Sequence, residues 1–290
     1  MSTVQSFQKK YLPAIASEDF FILLSYATHK DKLFLLAHPE YILTSEEKIL
    51  VEDYLARRQK HEPVAYIVGQ KEFYKRDFAV TQATLIPRPE TEHLIEQALK
   101  HIDSVKQDET PLDIVDIGTG SGNIIITLAS ELNVSLLNVH FFGIDISPEA
   151  IAVAEHNART HHVFKTIHFI ESDLLTRFPL PQKKNGGLIV IANLPYLSHS
   201  IYETSPKDVR EYEPRQALVS GVDGMDHYRR LLQQLAEKKE YYHSLLALFE
   251  ISPEQGTLLP QEILRFFPES ILQIIPDLSG KNRLIQASLL

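Results

Sequence analysis

The alternation of apolar and amphipathic segments from residue 112 onward limits the possible folds more than any other sequence feature. Short apolar segments are bounded by turn residues, and helical spacing of apolar residues lies between most of them, as at 148–160 and 226–243. This pattern is typical of an α/β fold with a doubly wound, mostly parallel sheet. The seven candidate strands are LDIVDI (112–117), VHFFGID (139–145), TIHFIE (166–171), LIVIAN (188–193), SLLALFE (244–250), SILQII (270–275) and NRLIQASLL (282–290).

The region before the predicted sheet has a different pattern. Residues 1–69 show only helical spacing, and Thr44 with Glu47 matches a capping box at a helix start, so we expect a small all-helical N-terminal domain. Residues 70–86 alternate apolar and polar side chains, which predicts a β-hairpin linker. Residues 87–290 then form the α/β domain.

The composition excludes several classes of protein. The 290 residues include no cysteine, which excludes disulfides, thiolate metal sites and a cysteine nucleophile and is consistent with a cytoplasmic protein. No apolar run approaches the roughly 20 residues that span a bilayer. The net charge of -9 argues against a nucleic-acid substrate, because proteins that neutralise phosphates usually carry a basic surface. No metal is expected, since the closely spaced histidines at 156, 161, 162 and 168 form no HExxH motif.

A glycine-rich turn follows the first strand of the predicted sheet. Glycines at a strand-to-helix turn let a ligand touch the backbone. The third glycine of the dinucleotide fingerprint is replaced by Asn123, and the absence of a GK[ST] sequence excludes a phosphate-binding P-loop. For the glycines alone, a tight turn without a ligand stays open as an alternative. The predicted cofactor contacts here are Gly118, Thr119, Gly120, Ser121 and Gly122.

Carboxylates follow the next two candidate strands. Asp145 stands where an acidic residue of a nucleotide-binding fold accepts hydrogen bonds from both ribose hydroxyls. Asp173 can accept from an adenine amino group, with Leu174 beside the ring, although taken alone it is equally compatible with a loop cap. Together with the glycine turn, these strand-end features predict a nucleotide-like cofactor.

The fourth candidate strand ends in Asn193-Leu194-Pro195-Tyr196, beside the expected cofactor. A planar NH2 group is a poor nucleophile, because its lone pair is delocalised. The side-chain carbonyl of Asn193 and the main-chain carbonyl of Leu194 can accept its hydrogens, and the Tyr196 ring can fix its plane. Both oxygens bind more strongly as positive charge grows on the nitrogen, which stabilises the transition state. These four residues are the predicted catalytic site, and Asn193 is also a predicted cofactor contact.

The strand-end residues together resemble the class I methyltransferases, which are Rossmann-like and use S-adenosylmethionine. Beyond them, the chain resembles the release-factor glutamine N5-methyltransferases, the PrmC/HemK family, along almost its whole length. The segments that carry this resemblance are Arg57, PVAYIVG (63–69), EFY (72–74), LIPRPETE (85–92), EPRQAL (213–218), Asp223-Gly224 and GKNR (280–283).

The resemblance implies methylation of the glutamine side-chain amide in the Gly-Gly-Gln loop of class-1 peptide-chain release factors, which supports translation termination. It implies that the helical domain helps to recognise the release factor and that the residues predicted above hold S-adenosylmethionine and the substrate amide. It also implies that Arg88, Glu90 and Thr91 shape the pocket, although a plain helix N-terminus explains them equally well. We expect a monomer that has no membrane partner.

Two alternatives remain open from the sequence. The family usually has proline at position 194, and Asn-Leu-Pro-Tyr is more typical of enzymes that dimethylate adenine in ribosomal RNA. The first alternative is therefore an N6-adenine methyltransferase that acts on RNA or DNA. The second is a catalytically silent module that binds release factor or ribosome, against which the intact Asn193 and Tyr196 argue.

Overall fold

The computed structural model describes residues 2–105, 110–132, 138–181, 184–277 and 279–289. The last residue of the final predicted strand, at position 290, lies outside them. The α-helices are α1 (Val4–Tyr11), α2 (Ser17–Thr28), α3 (Lys32–Ala37), α4 (Ser45–Gln59), α5 (Val64–Val68), α6 (Glu92–Val105), α7 (Asn123–Glu131), α8 (Pro148–Thr160), α9 (His199–Glu203), α10 (Lys207–Tyr212), α11 (Asp226–Lys238) and α12 (Gln255–Phe266).

The strands are β1 (Gln70–Phe73), β2 (Arg76–Ala79), β3 (Leu112–Ile117), β4 (Val139–Asp145), β5 (Ile167–Glu171), β6 (Asn185–Ala192), β7 (Tyr242–Glu250), β8 (Ile271–Pro276) and β9 (Asn282–Ser288). All seven strands predicted after residue 111 form, and they belong to one sheet with the order β5-β4-β3-β6-β7-β9-β8. The first five of these are parallel, and β9 runs antiparallel to both β7 and β8. The predicted α/β fold with a mostly parallel seven-stranded sheet is therefore confirmed.

The chain divides into two compact units. One contains the residues up to Gln70 together with Pro206–Tyr212, and the other contains Lys71–Ser205 and the residues from Glu213 onward. In the first unit, the predicted capping box is present: the Thr44 hydroxyl accepts from the Glu47 N–H, and the Glu47 carboxylate accepts from the Thr44 N–H. Its core is apolar and includes fully buried side chains of α2, α3 and α4, namely Phe20, Leu23, Leu24, Leu35 and Leu55.

Two predicted segments are shorter than expected. The helix predicted over 226–243 ends at Lys238, because Tyr242 begins β7 and its buried hydroxyl donates to the Asp113 carboxylate at 2.9 Å. Strand pairing and this buried hydrogen bond make a strand at Tyr242 more stable than a continuation of α11. Within the segment 70–86, pairing ends at Ala79 and the remaining residues form a loop.

The parallel strands place their carboxyl ends at one edge of the sheet. The last residue of β3, Ile117, pairs with Ile144 of β4 on one side and with Ala192 of β6 on the other. The chain therefore leaves β3 at the point where the strand order changes direction, which is where ligands bind in open α/β sheets. The segments that follow β3, β4, β5 and β6 contain the predicted site residues. In the part of the chain that the structure describes, no helix is long and apolar enough to cross a membrane.

Candidate active site

The turn after β3 has the backbone conformation that its glycines predict. Gly118, Gly120 and Gly122 have φ angles of +73°, +55° and +79°, which other residues rarely adopt. The turn is held against β4, because the N–H groups of Gly118 and Thr119 both donate to the Ile144 carbonyl at 2.8 Å. Apart from its chain neighbours, the described residues place only the Gly118 carbonyl oxygen within 4 Å of a Cβ at Gly120, at 3.9 Å. The backbone at Gly120 is thus open to a ligand.

The two predicted strand-end acids have different surroundings. Asp145 is fixed by the backbone, because its carboxylate accepts from the Gly120 N–H at 2.9 Å and from the Ser147 N–H at 3.0 Å. Burial raises the pKa of Asp145, and these hydrogen bonds oppose the rise. Each of its oxygens has a second lone pair for a ligand hydroxyl. Asp173, in contrast, forms an ion pair with Arg230, and both side chains are about half exposed.

One cavity joins most of the predicted site residues. Gly122 and Tyr196 are not among the residues that line it. At Gly122, where φ is +79°, a Cβ would lie 2.7 Å from the Ile126 Cδ1 atom and 3.1 Å from the Ala154 Cβ atom, so the backbone conformation and the packing of α7 and α8 favour glycine here. The predicted residues that line the cavity are Gly118, Thr119, Gly120, Ser121, Asp145, Asp173, Leu174, Asn193, Leu194 and Pro195.

Asn193 is anchored by two residues that lie far from it in the sequence. Its side-chain NH2 donates to the Thr91 hydroxyl at 3.1 Å, and that hydroxyl donates to the Glu250 carboxylate at 2.7 Å. Thr91 and Glu250 are 2% and 4% exposed. Thr91 is among the residues that the family resemblance places at the pocket, whereas Glu250 is not among the predicted site residues. In the sequence, Glu250 is recognisable only as an acidic residue at the end of an apolar strand. The structure places the end of that strand beside the end of β6.

The Leu194 side chain packs against the glycine turn. Its side chain is 3% exposed, and a Cβ at Gly118 would lie 3.3 Å from the Leu194 Cδ2 atom. The buried Tyr228 hydroxyl donates to the main-chain carbonyl of Glu250. Burial strongly raises the pKa of Tyr228, and the nearby Leu194 backbone opposes the rise. Leucine at this position therefore contributes packing beneath the turn.

The loop before α6 closes another side of the cavity. The Arg88 guanidinium donates to the carboxylate of Glu213, which is buried, and the same carboxylate accepts from the Ile86 N–H at 3.2 Å. These bonds fix the loop 83–88, whose residues line the cavity together with Gln216 and Ala217. The EPRQAL and LIPRPETE segments of the sequence are thus joined through Arg88 and Glu213.

A second acid that is not among the predicted site residues, Asp116, lies at the end of β3 beneath the glycine turn. Asp116 is fully buried, and its Oδ2 accepts from the Thr119 hydroxyl at 2.7 Å. Its Oδ1 has no hydrogen-bond partner within the described residues. Burial raises the pKa of Asp116 to about 7. Among those same residues, no group of three or more His, Asp or Glu side chains could hold a metal ion.

The sequence matches two family models. Residues 3–69 match the PrmC N-terminal domain, and residues 108–248 match a methyltransferase domain. Among solved structures, the catalytic domain of hMettl16 in complex with a MAT2A 3'UTR hairpin is similar in fold, with a TM-score of 0.56, 15% identity and coverage of 81% of each chain.

Curated relatives are similar over nearly the whole chain. The release factor glutamine methyltransferase of Nitratidesulfovibrio vulgaris is 38% identical over 280 residues, which cover 95% of this chain and 88% of the relative. The protein of the same name from Bacillus subtilis is 33% identical over 92% of this chain and 89% of its own length. This chain belongs to the release factor glutamine methyltransferase family.

Proposed function

We propose that this protein transfers a methyl group from S-adenosylmethionine to the side-chain amide nitrogen of the glutamine in the Gly-Gly-Gln motif of class-1 release factors. The observation that carries the proposal is the single cavity in which the glycine turn and the strand-end acids meet Asn193. A cofactor and an acceptor amide that bind in one cavity are held in reacting position, and positioning can supply much of the rate of such a transfer.

The residues around the glycine turn fit S-adenosylmethionine, which would supply an electrophilic methyl group. The open backbone at Gly120 allows close approach of a ligand. Asp145, held at the cavity wall, would accept from the ribose hydroxyls, and Asp173 with Leu174 would contact the adenine. Gly118, Thr119 and Ser121 line the same cavity and belong to the proposed contact set, whereas Gly122, which does not line it, would act by shaping the turn.

The residues after β6 would hold the substrate amide. With its NH2 group bonded to Thr91, Asn193 has its Oδ1 left to accept a hydrogen from the substrate nitrogen. The main-chain carbonyl of Leu194 would accept the other hydrogen. Pro195 lines the cavity. The ring of the adjacent Tyr196, which is not among the lining residues, would provide a flat surface for the amide plane. Both carbonyls interact more strongly as positive charge grows on the nitrogen, which favours the transition state.

We further propose that residues 1–69 form the domain that recognises the release factor, that 70–86 act as the linker, and that 87–290 carry out methyl transfer. Exposed apolar side chains on the helical unit, such as Leu33 and Ile49 at 78% and 69% exposure, offer a surface for a protein partner. The proposal places the protein in the cytoplasm as a monomer that acts directly on release factor, without a nucleic-acid substrate.

The decisive experiment incubates purified protein with labelled S-adenosylmethionine and either a purified class-1 release factor or ribosomal RNA. We expect label in the release factor only, and peptide mass spectrometry should place the methyl group on the Gly-Gly-Gln glutamine. A release factor with asparagine in place of that glutamine is the matched control and should remain unlabelled. Methylated adenine with an unmodified Gly-Gly-Gln peptide would replace this function by the adenine alternative.

A further inference from the structure

A buried chain of hydrogen bonds connects the proposed substrate site to a carboxylate behind it. Its three members come from separate elements: Thr91 from the turn before α6, Asn193 from the end of β6, and Glu250 from the end of β7. Thr91 and Glu250 are almost fully buried, so water does not readily replace either hydrogen bond. Thr91 and Asn193 both line the cavity, and Asn193 is the member of the three that is proposed to contact the reacting groups.

The donors and acceptors in this chain fix its direction. A threonine hydroxyl has one hydrogen, and an ionised carboxylate can only accept. The Thr91 hydrogen is therefore committed to Glu250, and the Thr91 oxygen can only accept from Asn193. Only the NH2 end of the Asn193 amide can donate, so its Oδ1 must face the other way. Without this constraint, the two ends of an amide are nearly equivalent in shape.

We propose that Glu250 is a positioning residue, which acts through Thr91 to hold the Asn193 amide with its Oδ1 turned toward the substrate nitrogen. The inference rests on the proposed function and identifies what sets the direction of its key acceptor. Reversed, the same amide would present two donors to a substrate group that also donates, and the hydrogen bond would be lost.

Protonation of Glu250 removes the constraint. A protonated carboxyl can donate to the Thr91 oxygen, and the Thr91 hydrogen is then free to occupy the Asn193 Oδ1. Burial raises the pKa of Glu250 to about 7, and the hydrogen bond from Thr91 opposes that rise. Among the neighbouring charged groups, Glu90 raises the pKa of Glu250, and Arg283 and Arg88 lower it. Glu250 in turn raises the pKa values of Tyr196 and Tyr228.

The first test replaces Thr91 by valine, which keeps the shape and removes the hydroxyl. We expect kcat on release factor to fall by about 10-fold to 100-fold, the effect of losing one or two buried hydrogen bonds. Affinity for S-adenosylmethionine should stay within about 3-fold, because both bonds of the Thr91 hydroxyl go to protein groups. Thr91→Ser, which restores the hydroxyl, should return kcat to within about 3-fold of wild type.

The matched control for this substitution is Thr127→Val. Thr127 is also fully buried, but its hydroxyl donates to the Asn123 carbonyl within its own helix. This variant should keep kcat within about 2-fold. Circular dichroism of all variants tests their folding. Equal kcat for Thr91→Val and wild type would overturn the inference while leaving the glutamine methyltransferase function intact.

The second test is independent of Thr91 variants. In the wild type, kcat should fall as the pH is lowered through about 7, because orientation is enforced only while Glu250 is ionised. Glu250→Gln should have a lower kcat plateau and no such fall, because a neutral amide does not titrate and can present either end to Thr91. If the fall persists in Glu250→Gln, another group carries it, for example Asp116, and the inference is wrong. Failure of the wild type to methylate the Gly-Gly-Gln peptide would instead reject the proposed function.

Discussion

The two ends of the cavity are held in place by different kinds of groups. The glycine end relies on backbone groups: the turn bonds to the Ile144 carbonyl, and Asp145 is held by the N–H groups of Gly120 and Ser147. The amide end relies on side chains, since Asn193 is held by Thr91, which in turn is held by Glu250. The first end depends on backbone groups at the ends of two adjacent strands, β3 and β4, and the second depends on side chains from three separate elements.

This difference predicts how substitutions at each end act. A backbone-built site loses affinity one contact at a time when a side chain is removed, while its shape persists. A side-chain network that holds one acceptor loses the orientation of that acceptor as a whole. Variants at the glycine end should therefore change cofactor binding, and variants at the amide end should change kcat.

The largest effect is expected for Asn193→Ala. It removes the side-chain carbonyl that we propose stabilises the transition state, and loss of one such preorganised group typically reduces kcat by about 100-fold to 1000-fold. Calorimetry should show cofactor affinity close to wild type, because Asn193 is only one of many residues that line the cavity. A comparable loss of affinity for S-adenosylmethionine would contradict the assignment of cofactor binding to one end of the cavity and catalysis to the other.

The next largest effect is expected for Asp145→Ala, at the opposite end. Two proposed ribose hydroxyls lose their acceptor, and each lost hydrogen bond costs about 1–3 kcal/mol, so the Kd for S-adenosylmethionine should rise by about 10-fold or more. At saturating cofactor, kcat should change much less. The charge-matched control is Glu149→Ala, because Glu149 bonds Ser147 but does not line the cavity. Unchanged affinity for Asp145→Ala would mean that the ribose binds elsewhere.

The same difference explains which parts of the site the sequence reveals. The glycine turn and Asp145 are visible because their chemistry lies within a few residues of a strand end, where the fold places ligands. Glu250 was missed because its partner Thr91 lies far away in the sequence, and only the strand order brings them together. The end of α11 was misplaced for a similar reason, since a buried contact to Asp113 favours strand at Tyr242.

A smaller effect is expected for Leu194→Pro, which restores the usual family residue. Proline removes the Leu194 N–H and part of a buried side chain that packs under Gly118. We expect the free energy of unfolding to fall by about 1–3 kcal/mol, with the substrate unchanged. Thermal unfolding and mass spectrometry of the methylated release factor measure both quantities. A switch of activity between glutamine and adenine would show that position 194 selects the substrate.

The smallest effect is expected for Arg230→Gln, at the edge of the glycine end. Arg230 pairs with Asp173, the proposed adenine acceptor, and both side chains are about half exposed. An exposed ion pair of this kind contributes about 0–1 kcal/mol. Because Arg230 competes with the adenine for the Asp173 carboxylate, its removal should tighten S-adenosylmethionine binding by at most about 5-fold.

The dependence of cofactor affinity on ionic strength tests the role of the Arg230–Asp173 pair more sharply. Added salt screens an exposed ion pair, so wild-type affinity for the cofactor should increase with ionic strength, whereas that of Arg230→Gln should not. Arg159→Gln is the matched control, because Arg159 forms an exposed pair with Glu155 and does not line the cavity. Weaker binding by Arg230→Gln at every salt concentration would mean that Arg230 itself contacts the cofactor. In that case the glycine end, like the amide end, would depend on a side chain contributed from a distant part of the sequence.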